Sequence, residues 1–413
     1  MRRLAWGLLL LFAFAIPWEY SLDLGAPLGN IARIVGLVLL LTAVPAVCET
    51  GRLRAPGPLQ WLALAFFLWF CCTALWTVDR TVTLTTLRGY FQVMMAVWLV
   101  GEFAGSAEDL RALLCACVAG SWVLAVLTLA NLASPEVIAA GQIRFAATGQ
   151  DPNDVARFLD LSFPLAALLW TSESRWPWRL LGAGYLPLGL VGVLLTGSRG
   201  GFLASLPALA GSVFLLARRD LRKVLAGTLV LPVIAAVFWL AVPHETLGRL
   251  ATISQQLGGG DLNQRLNIWD SGWHAFVRAP FLGTGAGTFV AAAGLAPIDT
   301  AHNTVLSIAV TGGMVALFLA AAILASCIWA TLETRGPVRW AMGTALVAWV
   351  ITSLASTVEE SRTTWLLLAL IALAGRLAVE EPERMEACFP AGVERSGLDA
   401  ASEPLLKTDG IMG

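Results

Sequence analysis

"LVGVLLTGSRGGFLASLPALAGSVFLLARR", residues 190–219, sets one arginine, Arg199, between two apolar runs. The nearest acids along the chain are Glu173 behind it and Asp220 ahead, so no sequence neighbour balances the charge. The flanking runs have the length and composition of membrane-crossing helices, which need about 20 apolar residues to pass ~30 Å of hydrocarbon. Arg199 therefore falls at a helix junction, at one face of a membrane.

Composition extends this to the whole chain. Of 413 residues, 57% are hydrophobic and 13% charged, where a soluble domain carries roughly 25% charge. Mean hydropathy is +0.74. A soluble core cannot absorb that much apolar surface, so a polytopic, all-α membrane protein is expected. Net charge is -1, so no bulk field recruits nucleic acid. The cysteines Cys48, Cys71, Cys72, Cys115, Cys117 and Cys327 lie in apolar runs and Cys388 in a polar tail; no disulfide framework is expected. Cys115 and Cys117 diverge on a helix and read as small core residues rather than metal ligands.

About twelve runs qualify as helices, near 4–18, 31–48, 59–78, 82–103, 110–131, 155–172, 180–197, 200–217, 223–242, 301–330, 338–357 and 363–379. The first has the look of a signal peptide, but Ile16-Pro17 is a poor cleavage junction, so an uncleaved helix is preferred. The expected division is helices 1–9 over 1–242, one long loop with short helices over 243–300, helices 10–12 over 301–379 and a polar, disordered tail over 380–413. Basic residues orient the bundle with both termini in the cytoplasm. The opposite side nevertheless receives Arg33, Arg80, Arg88, Arg144, Arg157, Arg199, Arg249, Arg265, Arg278 and Arg362, ten of the 27 basic residues and all arginine. Codon bias explains arginine over lysine; it does not explain why the side that usually sheds cations collects ten.

In the long loop, Leu247, Leu250, Ile253 and Leu257 fall at helical spacing, as do Leu266, Trp269, Trp273 and Phe276 or Val277 after the break at "GGGD". Arg265 and Trp269 share an edge of the second helix. "FLGTGAGTF", 281–289, tempts toward a dinucleotide site, but no strand precedes it. A tight turn for close helix packing is the preferred reading, with a phosphate nest as the alternative. His302 opens the tenth membrane helix, where the helix N-terminus should keep its imidazole neutral near pH 7 and able to accept a hydroxyl proton; a capping or interfacial histidine is the plainer alternative. "TGQDPNDVARF", 148–158, and "TVEESRTTW", 357–365, are polar spots equally explicable as a cap and a loop. With three histidines and no external carboxylate cluster at ligand spacing, a dedicated zinc site is not expected; a divalent ion bound by Asp or Asn is the alternative left open.

Three segments in order carry more than any one: "TGSRGGFLA" at a helix junction, "RLNIWDSGWHAFVRAPFLGTGAGTF" in a long loop, and "AHNTVLSIAVTGGMVAL" opening the next helix. This set resembles the O-antigen ligase family, within the wider superfamily of O-antigen ligases and polymerases. The resemblance implies an integral-membrane, metal-independent inverting glycosyltransferase of the bacterial inner membrane with a periplasmic site. It would move a glycan from undecaprenyl pyrophosphate to a sugar hydroxyl of lipid A-core, completing lipopolysaccharide. Motif positions carry over as Arg199, Arg265 and His302, two arginines for the pyrophosphate and a histidine for the acceptor hydroxyl. Arg88, Arg144, Arg157 and Arg278 are further candidates for substrate phosphates, with Arg157 alternatively paired to Asp154 or Asp160. Trp269 and Asn303, beside the motif residues, complete the expected substrate contacts. The alternatives are an O-antigen or exopolysaccharide polymerase using the same donor, a protein O-oligosaccharyltransferase, and a secondary transporter. Transport usually leaves ionisable groups or interrupted helices near the midplane, and these runs read as clean.

Overall fold

A computed structural model describes residues 1–25, 28–134, 141–172, 176–228, 242–253, 255 and 264–390. The described residues are helical, with no strand beyond an isolated bridge between Asp23 and Asn30. The long helices are α1 (Arg2–Ala15), α2 (Ile31–Thr50), α3 (Pro58–Thr73), α4 (Arg80–Phe103), α5 (Ala107–Leu132), α6 (Pro152–Ser172), α7 (Trp176–Leu195) and α8 (Arg199–Thr228). The long loop contributes α9 (His244–Ala251), α10 (Arg265–Arg278) and α11 (Phe289–Ala293). The chain then forms α12 (Thr304–Glu333), α13 (Gly336–Ser353), α14 (Arg362–Glu380) and α15 (Pro382–Cys388). Among the described residues, seven segments have the length and apolarity to cross a membrane: Arg2–Ser21, α2, α5, α7, Arg199–Arg218, α12 and α14. This is a multi-pass membrane protein.

Eleven of the twelve expected runs overlap a described helix; most of the twelfth, 223–242, lies outside the described residues. A break expected after residue 217 is not there. Helix α8 runs on through Arg218, Arg219 and Arg222, because arginine, leucine and lysine are good helix formers and no glycine or proline intervenes. The start of the expected polar tail also folds. Helix α15 buries Met385 and Cys388, and the Cys388 thiol reaches the Ala107 carbonyl at 3.5 Å.

Helix α6 is the core of one half. Every residue from Val155 to Leu169 is buried, Arg157, Asp160 and Ser162 included, and α5, α7, α8 and α13 surround the helix. Two glycines allow close approach. A Cβ on Gly182 would lie 2.4 Å from the Ala166 carbonyl oxygen, and one on Gly201 would lie 2.3 Å from the Ala156 Cβ. The other half is built on α12, which packs on α3, α10 and α14.

Helix α12 is not the unbroken span its sequence suggests. Gly313 has φ +66°, outside the helical region, and the helix changes direction there. A break inside an apolar helix frees carbonyls that hydrocarbon cannot satisfy. The glycine-rich segment 280–288 fills the gap. The amides of Thr284 and Gly285 donate to the carbonyls of Val310 and Thr311, both at 2.9 Å, and Met314 donates back to Pro280 at 2.8 Å. The Trp69 indole donates to the Gly312 carbonyl at 2.8 Å. Ala286 is fixed from the α3–α4 side: its amide donates to Thr73, and its carbonyl accepts from Thr83. The G-x-G-x-G run is thus a helix-packing plug, with the amides of Thr284, Gly285 and Ala286 already taken.

Gly313→Ala should therefore lower the thermal midpoint of the detergent-solubilised protein. The new Cβ would sit 2.2 Å from the Phe281 carbonyl oxygen, on top of about 1–3 kcal/mol of backbone strain. Gly343→Ala, with its nearest neighbour at 3.6 Å, is the control and should leave the midpoint in place. Equal midpoints for both would mean that the plug does not seat as described.

Candidate active site

Residues 195–199 form a helix-to-helix junction. Helix α7 ends at Leu195, and Gly197, at φ +55°, reverses the chain. Ser198 starts the next helix: its hydroxyl accepts from the Gly201 amide at 3.2 Å and donates to Asn153 Oδ1 at 2.9 Å. Arg199 is the first residue of α8. The carbonyls left by the turn are taken by arginines from elsewhere. Arg144 Nε donates to Thr196 at 3.1 Å, and its Nη2 reaches Asn153 Oδ1 at 2.8 Å. Arg249, on α9, donates from Nε to the Gly197 carbonyl at 3.2 Å. Arg199 returns the contact, donating to the Arg249 carbonyl at 3.3 Å and to Thr252 Oγ1 at 2.8 Å.

Arg265 and His302 complete the assembly. Arg265 is the first residue of α10 and follows Gln264, whose φ is +65°. One helical turn on, the Trp269 indole donates to the Ala301 carbonyl at 3.0 Å. That strut sets the start of α10 beside residue 301. His302 comes next, half-buried, with φ +46°. A non-glycine residue there is uncommon and strained, and such strain tends to mark functional positions. Asn303 caps α12 by accepting from the Leu306 amide at 3.0 Å.

The charges feel one another. Burial lowers the pKa of Arg144, with Arg249, Arg265 and Arg199 lowering it further. Burial and then Arg199 do the same to Arg249 and Arg265. Asp151 is the acid that opposes Arg144 and Arg265. The pKa of His302 is pushed below its usual value by burial first and by Arg265 second. Its neutrality was expected from the helix N-terminus; burial and a neighbouring cation supply it. The result, among the described residues, is a group of arginines close enough to couple, with Asp151 as the acid that opposes two of them, beside an imidazole whose pKa is lowered.

Residues 184–321 match the sequence model of the O-antigen ligase family. Those residues, about a third of the chain, form a region similar to that family's domain. No curated protein matches the chain. That region contains Arg199, Arg249, Arg265 and His302, whereas Arg144, Asp151 and Asn153 of the same cluster come from outside the matched residues.

Not every expected residue joins this cluster. Arg144, Arg199, Arg265 and His302 converge, with Trp269 and Asn303 as neighbours. Arg157 is buried and ion-paired to Asp154 at 2.9 Å. Arg88 lies on α4, beside a separate cavity with Arg33 and Arg362. Arg278, at the far end of α10, is exposed and donates to the Ala292 carbonyl at 2.7 Å; it is about 20 Å along the helix from Arg265. Arg249 and Asn153 were not singled out from the sequence. Arg249 was counted among the ten arginines of the side opposite the termini but given no role, and Asn153 was read as part of a cap. The buried stripe of α10 is also shifted from expectation. Ile268, Gly272 and Ala275 face α12, while Leu266, Trp273 and Val277 are exposed. Gly272 sets this, because a Cβ there would meet the Phe289 ring at 2.8 Å, so the small face docks and the bulky face turns outward.

Glu359 lies in the loop between α13 and α14, buried, and accepts a short hydrogen bond from the Ser307 hydroxyl on α12. Burial raises its pKa to about 7. A carboxyl with a folded pKa above its unfolded value adds stability at low pH and loses it as pH rises through the folded value. The thermal midpoint should therefore fall as pH rises from about 4.5 to about 7, and Glu359→Gln should make that drop smaller, with Glu360, raised to about 8, keeping a share of it. An unchanged slope in the variant would show that Glu359 does not ionise in this range.

Proposed function

We propose that the protein is an O-antigen ligase, an inverting glycosyltransferase. It moves a glycan from undecaprenyl pyrophosphate to a sugar hydroxyl of lipid A-core. In this proposal the arginine-rich end faces the periplasm of the bacterial inner membrane and both termini are cytoplasmic. The observation that carries it is the convergence of Arg144, Arg199, Arg249 and Arg265 on one place beside His302. A diphosphate leaving group gains negative charge as its glycosidic C–O bond breaks. Guanidiniums suit it, because their planar forks grip phosphate oxygens and stay protonated. Held in place before the reaction, they stabilise that charge without reorganising.

The chemistry is a single displacement. The acceptor hydroxyl oxygen forms a bond to the anomeric carbon from the face opposite the pyrophosphate, which inverts that centre. The C–O bond to the carrier breaks and its electron pair leaves with the diphosphate. The hydroxyl proton passes to neutral His302, which needs the lowered pKa to be ready as a base near pH 7. Trp269 acts through the Ala301 carbonyl to keep Arg265 and His302 in register.

Purified protein in nanodiscs, given polyprenyl-diphosphate-linked glycan and lipid A-core, should transfer the glycan. Arg265→Ala should lower the rate by on the order of a hundredfold, and Arg249→Ala should lower it too. The rate should be flat near pH 7 and fall on the acid side with a midpoint below 6.5, the His302 base being lost by protonation. A midpoint above 6.5, or full activity in His302→Ala, would remove the base. In cells, a deletion strain should accumulate unattached polymer on its carrier. Single repeat units on the core would instead indicate a polymerase, and an unaltered glycolipid profile would overturn glycosyl transfer and leave transport.

A further inference from the structure

Two cavities lie side by side along α4, away from the arginine cluster. One, of about 250 Å³, is lined by Phe12, Gly36, Leu37, Leu40, Phe91 and Met95 among others, with Arg33, Arg88 and Arg362 beside them. The other, of about 290 Å³, continues toward the opposite end of the bundle past Val44, Val47, Cys48 and Trp98. Met95 and Leu99 line both. They adjoin there as a mostly apolar groove between α2 and α4, two helices that touch only sparsely, with Arg54, Gln60 and Glu102 at its far end. Its outer rim is exposed and apolar: Leu37, Val44 and Phe91 are at least two-fifths exposed.

The arginines stand at one end of this groove, the end that also carries the candidate active site. Arg362 is engaged by Glu19 and Gln92. Neither the Arg33 nor the Arg88 guanidinium makes an ion pair with a described residue, and Arg88 is exposed. A cation on a membrane-facing helix is costly unless an anion or water meets it. The lower groove limits what that anion belongs to. From Arg33 to Cys48 along α2 is about 22 Å, whereas a chain confined to one leaflet has about 15 Å of hydrocarbon to cross. The groove suits a lipid whose tail is longer than one leaflet.

We propose that the α2–α4 groove is a second lipid site, taking a long-chain polyprenyl phosphate with its phosphate on Arg33 and Arg88. It is distinct from the cluster of Arg199, Arg249 and Arg265, and it rests on the proposed function only for the choice of a polyprenyl lipid. Phe12, Leu40 and Met95 hold the first part of the tail, and Val47 and Trp98 its continuation.

The test uses the full chain in nanodiscs and two photoactivatable probes, a polyprenyl phosphate and a phosphatidylglycerol, each with a diazirine in its tail. The polyprenyl phosphate should label α2 and α4 groove residues, and an excess of inorganic phosphate should not compete. Arg33→Ala with Arg88→Ala should cut the labelling by roughly tenfold, and the corresponding double lysine variant should restore part of it. Arg199→Ala and Arg265→Ala should leave it unchanged. No labelling, equal labelling by phosphatidylglycerol, competition by free phosphate, labelling indifferent to the two arginines, or loss of labelling in Arg199→Ala would each overturn the second site. Glycan transfer measured on the same preparations separates the two proposals. Transfer without groove labelling sinks only the second site. Groove labelling without transfer sinks only the ligase.

Discussion

Arginines gathered this closely repel one another, and the way they are anchored decides whether the site can work. Carboxylate partners would have fixed the guanidiniums and cancelled their charge together. Among the described residues, peptide carbonyls hold two of them: Thr196 for Arg144 and Gly197 for Arg249. A carbonyl orients an N–H without removing a unit of charge, so direction is set and the field is kept. The Thr196 and Gly197 carbonyls lie just past the C-terminus of α7, the end of a helix that favours cations. The cost of assembling like charges is thus partly offset by the fold, and the remainder is available to an anion that enters the site.

The same arrangement explains what was legible in the sequence. The apolar runs gave the helices, because length and hydropathy are local properties. Arg199 and Arg265 were legible because each opens a helix inside a short motif, and His302 because it stands just ahead of a helix cap inside another. Arg249 was not: its partner is a backbone carbonyl some fifty residues away, and such a bond leaves no side-chain signature. Asn153 was hidden for a related reason. It reads as a turn residue, yet its Oδ1 accepts from both Arg144 and Ser198. Arg88 and Arg278 show the opposite failure. Charge counting along the chain places a residue at one end of a bundle but not around its circumference, so they were grouped with a cluster they do not join.

Helix α12 carries the consequence for the competing view of a transporter. Its sequence gave no sign of interruption, since "TVLSIAVTGGMVAL" reads as one apolar run and a glycine pair is common in membrane helices. The break at Gly313 is imposed by a distant segment that supplies the missing donors. Interrupted membrane helices often expose carbonyls to an ion or substrate. In this protein the carbonyls of Val310, Thr311 and Gly312 are already taken by Thr284, Gly285 and Trp69. The break therefore locks the long loop to the bundle. Helix α10 lies directly before that locked segment and His302 at the start of the broken helix, so the distance between Arg265 and His302 is set from both sides. Trp269 closes the frame on Ala301. On the proposed function, one rigid unit would then address both the leaving group and the proton acceptor, which is what a displacement at a single anomeric carbon requires.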